Sequence, residues 1–394
     1  MRRRSSTFLA AWLACCAVIG CNLILGSESA VFEPGGPEGG GTEAGDDGRL
    51  NPDGPPVMTD GGDGGDGPFD AGPCVNTETN ANHCGTCGHD CLGGKCAAGK
   101  CQPFVVATEP GRFVGIALDS THVYWTNSAT GDVRRVPIGG GTAEMVYDGP
   151  GASPLGEALV RSGAHVYFTV GTPDGGVYRC PAAGCGASPP ETVVALDSAG
   201  FMSVDDAGTL FVVEGFVGGR VGRCAPPCAG LDVVAPNEGY PLYAAGEGDS
   251  VYWSTLIPNG GNLRSRNAGA AAPSTLVPSR PAVQVAVVGA DVIYVERGVG
   301  PLAVSRDGGT ARRLFNGSAQ SERLAVNGGI VYFGDATSNA GRVLGCSVGG
   351  CGDAGTVLAT NQSFPYSLVA DAVSVYWTNM GENDAGSSVM RVAK

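Results

Sequence analysis

A short apolar segment recurs seven times along the chain. It first appears as Val123-Tyr124-Trp125-Thr126-Asn127. It returns as Val166–Val170, Leu210–Glu214, Val251–Thr255, Val292–Glu296, Val331–Asp335 and Val375–Asn379. The first residues lie at 123, 166, 210, 251, 292, 331 and 375, so the steps are 43, 44, 41, 41, 39 and 44. A near-constant step of this size marks a repeat architecture, and about 40–45 residues is the period of a β-propeller blade.

Each unit contains four candidate strands, a to d. In the first they are Gly115–Asp119, Val123–Asn127, Asp132–Pro137 and Ala143–Tyr147, separated by turn residues. The b segment is apolar on consecutive positions, as expected when neighbouring blades cover both faces of a sheet. Trp125, Phe168, Trp253, Tyr294, Phe333 and Trp377 share its third position, with Val212 in the third unit. These side chains are expected to fill the space between blades as core, not to form a binding site. Further d strands are expected at Thr192–Ala195, Asp232–Ala235, Thr275–Val277, Arg313–Phe315 and Thr356–Ala359. The seventh unit has a, b and c segments and then the chain ends, without d. A d-type segment, Phe104–Thr108, precedes the first a strand instead. The expected fold is therefore an all-β, seven-bladed propeller over residues 103–394, its last blade completed by an N-terminal strand. Closure removes the open sheet edges that a stack of blades would leave.

The block Gly115–Asp119, Val123–Asn127 and Asp132–Pro137 resembles the YWTD and NHL-type propellers. Asn127 and Asn379 stand where that family has Asp, and seven units replace the six blades of YWTD propellers. The resemblance implies the architecture and carries over no ligand.

The start of the chain supplies a route out of the cytoplasm. Arg2, Arg3 and Arg4 precede an apolar stretch, Phe8–Ile19, that is too short to span a bilayer. Residues 1–20 thus read as a signal peptide. Val18-Ile19-Gly20-Cys21 resembles a bacterial lipobox, which implies lipidation of Cys21 and a membrane lipoprotein at the outer membrane or cell surface. The competing reading is an ordinary secretory signal cleaved nearby. Residues 21–73 carry that cysteine and a low-complexity Gly/Pro-rich segment, with eleven acids against Arg49 alone. Such a segment buries too little apolar surface to offset the entropy of ordering, so it is expected to be a disordered tether. Its mean reach is on the order of 40 Å, extended further by charge repulsion. The Asp-Gly-Gly run within it is too degenerate for a calcium-binding nonapeptide repeat.

Residues 74–102 hold Cys74, Cys84, Cys87, Cys91, Cys96 and Cys101 in a segment too short for a hydrophobic core. Disulfides are expected to hold it together, and six cysteines allow fifteen pairings. A metal site on Cys84, Cys87 and Cys91 with His83 or His89 is the alternative. The Cys-Gly-x-Cys-Gly-x-x-Cys core resembles small cysteine-rich modules of the stigma-specific type, which implies no activity. Six further cysteines form three short pairs in c–d turns: Cys180 with Cys185, Cys224 with Cys228, and Cys346 with Cys351. Each turn brings its two thiols together, so local disulfides are expected. The chain has 15 cysteines in all, a number that fits an oxidising compartment.

Chemistry is scarce. A formal charge of −14 repels phosphate backbones, which excludes nucleic acid as a partner. Gly345-Cys346-Ser347-Val348-Gly349 matches a hydrolase elbow, but it lies in a cross-linked β-turn with no His–acid partners. His122 and His165 occupy equivalent a–b turns, a structural position. No phosphate-cradling Gly-Lys-Ser loop occurs. No cofactor is expected. If the propeller binds something, the longer d–a and b–c loops define the face. On the d–a side they offer Arg112, Phe113, Phe201, Tyr240, Arg280, Arg323, Phe364 and Tyr366. On the b–c side they offer Asn127, Glu214, Glu296, Asp335 and Asn379. Aromatics, arginines and acids around a central funnel suit a protein, peptide or glycan. The leading expectation is a non-enzymatic binding module tethered to the membrane by lipid alone. The alternatives are a lactonase- or lyase-type propeller enzyme using the ring of acids, and a structural subunit of an envelope assembly complex.

Overall fold

In the computed structural model the description covers Cys74 and residues 76–394, apart from 150–154, 172–174, 229, 258–259, 318, 337–339 and 381–385. Cys21, the signal segment and the acidic tether lie outside the described residues.

Seven four-stranded antiparallel sheets follow one another along the chain. Blade one runs Phe113–Leu118, His122–Asn127, Asp132–Pro137 and Glu144–Tyr147 as strands a to d. The a strands of successive blades pack against one another and so line the axis. They carry polar side chains that tie one blade to the next where no ladder can. Ser203 Oγ donates to Ala244 O at 2.8 Å, and Ser367 Oγ donates to Val114 O at 2.5 Å. The Gln284 amide both donates to and accepts from the backbone of Leu324, at 3.0 and 2.9 Å. These groups are buried, so each unmade bond would cost desolvation with nothing returned.

Between the blades lie the recurring aromatics. Trp125, Phe168, Trp253, Tyr294, Phe333 and Trp377 are all fully buried, and Val212 takes the same place in blade three. The polar tips of two of the tryptophans are met from the blade before. Trp253 Nε1 donates to Glu238 at 3.0 Å, and Trp377 Nε1 donates to Gln362 at 3.1 Å.

Blade seven consists of Pro365–Ala370, Ser374–Asn379, Ser387–Ala393 and, from the other end of the propeller, Phe104–Glu109. The closing strand pairs Phe104 with Arg391, Ala107 with Val389 and Glu109 with Ser387. Ring closure through the N-terminal strand is thus as expected. One d strand departs from expectation. In blade five only Arg312–Arg313 pairs with the c strand, and Phe315 turns away to bridge Gly352 of blade six.

The segment is met there by a cross-linked turn of the next blade. Cys180–Cys185, Cys224–Cys228 and Cys346–Cys351 are disulfides. Two of these turns reach back to the preceding blade. Cys185 N donates to Val146 O at 2.9 Å, and Cys351 N donates to Leu314 O at 2.8 Å. The turn is therefore a clasp between blades as well as a local staple. In the small module the pairs are Cys74–Cys87, Cys84–Cys96 and Cys91–Cys101, so the thiols of the metal alternative are all taken up in disulfides. The module sits against blade seven. His89 Nε2 lies 2.5 Å from the backbone oxygen of Lys394, and Arg391 Nη1 donates to Leu92 O at 3.2 Å. Six disulfides fit an oxidising, extracellular setting. No helix among the described residues is long and apolar enough to cross a membrane.

Candidate functional site

The disc has two faces. One carries the d–a and b–c loops, the other the a–b and c–d turns. On the first face the central mouth is closed by side chains. Arg323, fully buried just before the a strand of blade six, places its guanidinium 4.4 Å from the Tyr366 ring and 5.6 Å from the Phe201 ring. Its Nη2 donates to Tyr366 Oη at 2.6 Å. Phe201 belongs to blade three and Tyr366 to blade seven, so the cluster crosses the axis. Phe201 also stacks on Tyr243 of blade four. Stacking and a planar donor fork are what guanidinium offers and ammonium does not.

This places the expected ligand residues in two groups. Phe113, Phe201 and Tyr366 are buried, and Phe113 packs 5.4 Å from Trp125. Their rings belong to interblade packing and to the Arg323 cluster that fills this mouth among the described residues. Arg112, Tyr240 and Phe364 stay half-exposed on the loops. Tyr240 and Phe364 share a backbone conformation, with φ of 59° in both, two residues after Glu238 and Gln362 respectively.

The b–c set proves to be bracing. Asn127 Oδ1 accepts from Arg112 N at 3.0 Å, and its Nδ2 donates to Pro110 O at 3.1 Å. Asp335 accepts from Gln320 N, and Asn379 Nδ2 donates to Gln362 Oε1. The last residue of each of these b strands thus ties down the d–a loop beside it. The acids are also paired. Glu214 takes a bidentate Arg220 at 2.5 and 2.6 Å, Glu296 takes Arg280 at 3.2 Å, and Asp335 takes Arg342 at 2.6 Å. Each carboxylate is neutralised within its own blade or loop, so the three do not converge as a ligand set.

These pairs are built asymmetrically. On the d–a/b–c face the acid lies beneath and the guanidinium above. Arg220 is 43% exposed over Glu214 at 3%. Arg264 over Glu238, Arg280 over Glu296, Arg297 over Glu322 and Arg342 over Asp335 repeat the arrangement. Arg112 adds a cation with no ion pair among the described residues. On the opposite face the order reverses in most pairs. Asp232 is 64% exposed beside Arg223 at 25%. Glu144 over Arg135, Glu191 over Arg179 and Glu247 over Arg306 follow suit.

Burial leaves its mark on several of these groups. Burial raises the Glu109 carboxyl, with Arg134 opposing it. Burial, with Glu296 adding, pushes the Tyr294 hydroxyl up to about 12. Burial alone would raise Asp119. Hydrogen bonds from Tyr124, Thr121 and the His122 amide instead hold it well below the usual carboxylate range. Burial, then Arg179, lowers His165.

Two features lay outside the expected site. One is a cavity of about 460 Å3 at the other mouth of the axis, among the a–b turns of blades three to six. Two of its three acids are engaged, Asp205 accepting from Thr209 N and Glu247 pairing with Arg306, and Asp206 is the third. The other is an exposed apolar patch on the d–a/b–c face, formed by Phe216, Val217 and Ile257. Val217 pairs with Gly239, and Ile257 N donates to Gly239 O, so the two flank one residue. Half-buried Tyr240 and Leu256 lie beside them. The signal in the sequence was the apolar content of these two b–c loops, Gly215-Phe216-Val217-Gly218 and Leu256-Ile257.

No family model matches the chain, and no curated protein matches it. Solved structures do match. The WD40 β-propeller domain of Doa1 aligns at 14% identity and a TM-score of 0.57, over 73% of this chain and 96% of that one. Virginiamycin B lyase from Staphylococcus aureus aligns at 14% identity and 0.57, over 73% and 98%. The likeness is one of fold. A chain from the nidogen/laminin complex aligns at 15% identity with a TM-score of 0.47, over 64% and 98%.

Proposed function

We propose that this is a lipid-anchored envelope protein whose propeller is a non-enzymatic binding module, and that the d–a/b–c face does the binding. The observation that carries the reading is the Phe216–Val217–Ile257 patch set among outward-facing arginines. Exposed aliphatic and aromatic groups beside guanidinium are the composition of protein-binding surfaces. Contiguous apolar exposure on an otherwise well-buried fold marks an interaction site. Glu214, Glu296 and Asp335, the acids expected to ring the funnel, are each paired with arginine, and His122 and His165 lie on the other face. Anchoring rests on Cys21 in the lipobox-like Val18–Cys21 segment, with residues 22–73 as the tether. A photo-crosslinking residue placed at position 217 of the anchored protein in its cells tests the reading. A discrete cross-linked species from position 217, and none from position 373 on the opposite face, is the expected result. The reverse pattern would move the binding face.

A further inference from the structure

The inversion of ion-pair geometry between the two faces points to the kind of partner. A salt bridge with both ions equally exposed projects little field. One with its carboxylate buried and its guanidinium outward presents a positive end to whatever approaches. Five such pairs with Arg112 turn guanidinium groups outward on this face of a protein that is acidic as a whole, while Asp148 and Asp197 stand exposed in its d–a loops. On the opposite rim the acids stand outward beside half-buried arginines.

The outward cations of these pairs are all arginine, the side chain that meets carboxylates through a planar fork and stacks on apolar or aromatic surface. Three of them, Arg220, Arg264 and Arg280, lie in the loops and strand starts that surround the apolar patch. A purely anionic ligand would leave Phe216, Val217 and Ile257 unused, and a purely apolar one would strand the guanidinium groups against it. A peptide with carboxylates spaced between apolar side chains satisfies both.

We propose that the d–a/b–c face docks an acidic, partly apolar segment of a protein partner, its apolar side chains on Phe216, Val217 and Ile257 and its carboxylates on the surrounding arginines. This rests on the binding reading above and adds the chemistry of the partner.

The test titrates full-length protein with three fluorescent peptides of equal length. One alternates Glu and Asp with Leu and Phe, one has Gln in place of the acids, and one has Lys. Because the full chain is used, affinity is measured in competition with its own acids at residues 22–73. The acidic peptide is expected to bind at least about tenfold more tightly than the Gln peptide, and the Lys peptide more weakly than either. Raising salt across the range where the screening length falls below about 10 Å should erode that advantage. Val217→Asp adds a like charge at a side chain 68% exposed, without breaking an ion pair or the core. It should weaken the acidic peptide about tenfold or more. Val373→Asp, at a 52% exposed position in an a–b turn of the opposite face, should change it less than about twofold. Matched melting curves for both variants show that the fold is intact.

Equal affinity for the acidic and Gln peptides, both lost in Val217→Asp, would overturn the acidic partner and leave the binding face standing. Equal sensitivity to Val217→Asp and Val373→Asp would overturn the face itself. Binding of a sulfated oligosaccharide, sensitive to Val217→Asp, with no binding of the acidic peptide would overturn a protein partner.

Discussion

Removing the closing strand should cost this propeller more than any single blade contact. A chain beginning at Gly111 loses Phe104–Glu109, while one beginning at Gln102 keeps it, and both lack the cysteine-rich module. The strand pairs with the c strand of blade seven at five registered positions. It buries Val106 and Ala107 and lays Phe104 against Arg391. Each ladder hydrogen bond has a net worth of about 1 kcal/mol, and burying a valine side chain about 1.5–3 kcal/mol. The Glu109–Arg134 pair is partly exposed and adds little. The total is on the order of 5–8 kcal/mol, comparable with the roughly 5–15 kcal/mol that holds a whole domain. At about 2–4 °C per kcal/mol, the gap in melting temperature should be on the order of 10–30 °C. The shorter chain should also aggregate, because Val389 and Met390 become an open sheet edge. Differential scanning calorimetry of both chains reads the effect. Coincident transitions would refute closure through this strand and with it the seven-blade count.

Other expectations follow from single groups. Arg323→Met should lower the urea midpoint by about 2–4 kcal/mol of stability, and Arg323→Lys should not restore it, since an ammonium cannot stack across Tyr366 and Phe201. An Arg323→Lys midpoint equal to wild type would sink the plug. The Asp119 carboxyl is depressed in the folded state, so its contribution is present above about pH 4 and is lost as pH falls further. Asp119→Asn should therefore melt below wild type at pH 7, with the gap narrowing by pH 3; a constant gap contradicts the assignment. Cys346→Ser with Cys351→Ser should cost about 2 kcal/mol by releasing a short loop, and hydrogen exchange near Leu314 should quicken because the Cys351 clasp loosens. Cys21→Ser should abolish lipid labelling and release the protein from membranes; retention at wild-type levels would remove the lipobox reading.

The fold was legible because it is periodic. Seven copies of one apolar b strand, each with turn residues at matching offsets, leave little freedom in architecture, and the missing d strand points to its replacement at Phe104. Disulfide turns were legible for the same reason, since a separation of four or five residues fixes which thiols can meet. The candidate site was less so. Loop membership put Phe113, Phe201 and Tyr366 on the right face, but membership does not say which way a ring turns. Those three turn inward, because residues at the start of an a strand face either the neighbouring blade or the axis. Glu214, Glu296 and Asp335 were legible as a ring of acids, while their arginine partners came from c-strand starts and d–a loops that no spacing rule connects to them. In blade five Leu314 N still donates to Pro301 O of the c strand, and only from Phe315 does the segment leave the ladder to bridge Gly352 of blade six.

The closing strand also decides how the molecule carries load. Tension applied on the N-terminal side of Cys74 passes through a module laced by three disulfides before it reaches Phe104. It then enters the ring along Phe104–Glu109, parallel to a strand whose ladder bonds run crosswise to the pull. Bonds loaded in that direction resist together instead of opening one at a time. The contacts of His89 with Lys394 and of Arg391 with Leu92 share the strain from outside the ladder. For a load applied from that side, the seam that joins the two ends of the ring is also the point of entry, and it is loaded in the direction in which a sheet is strongest.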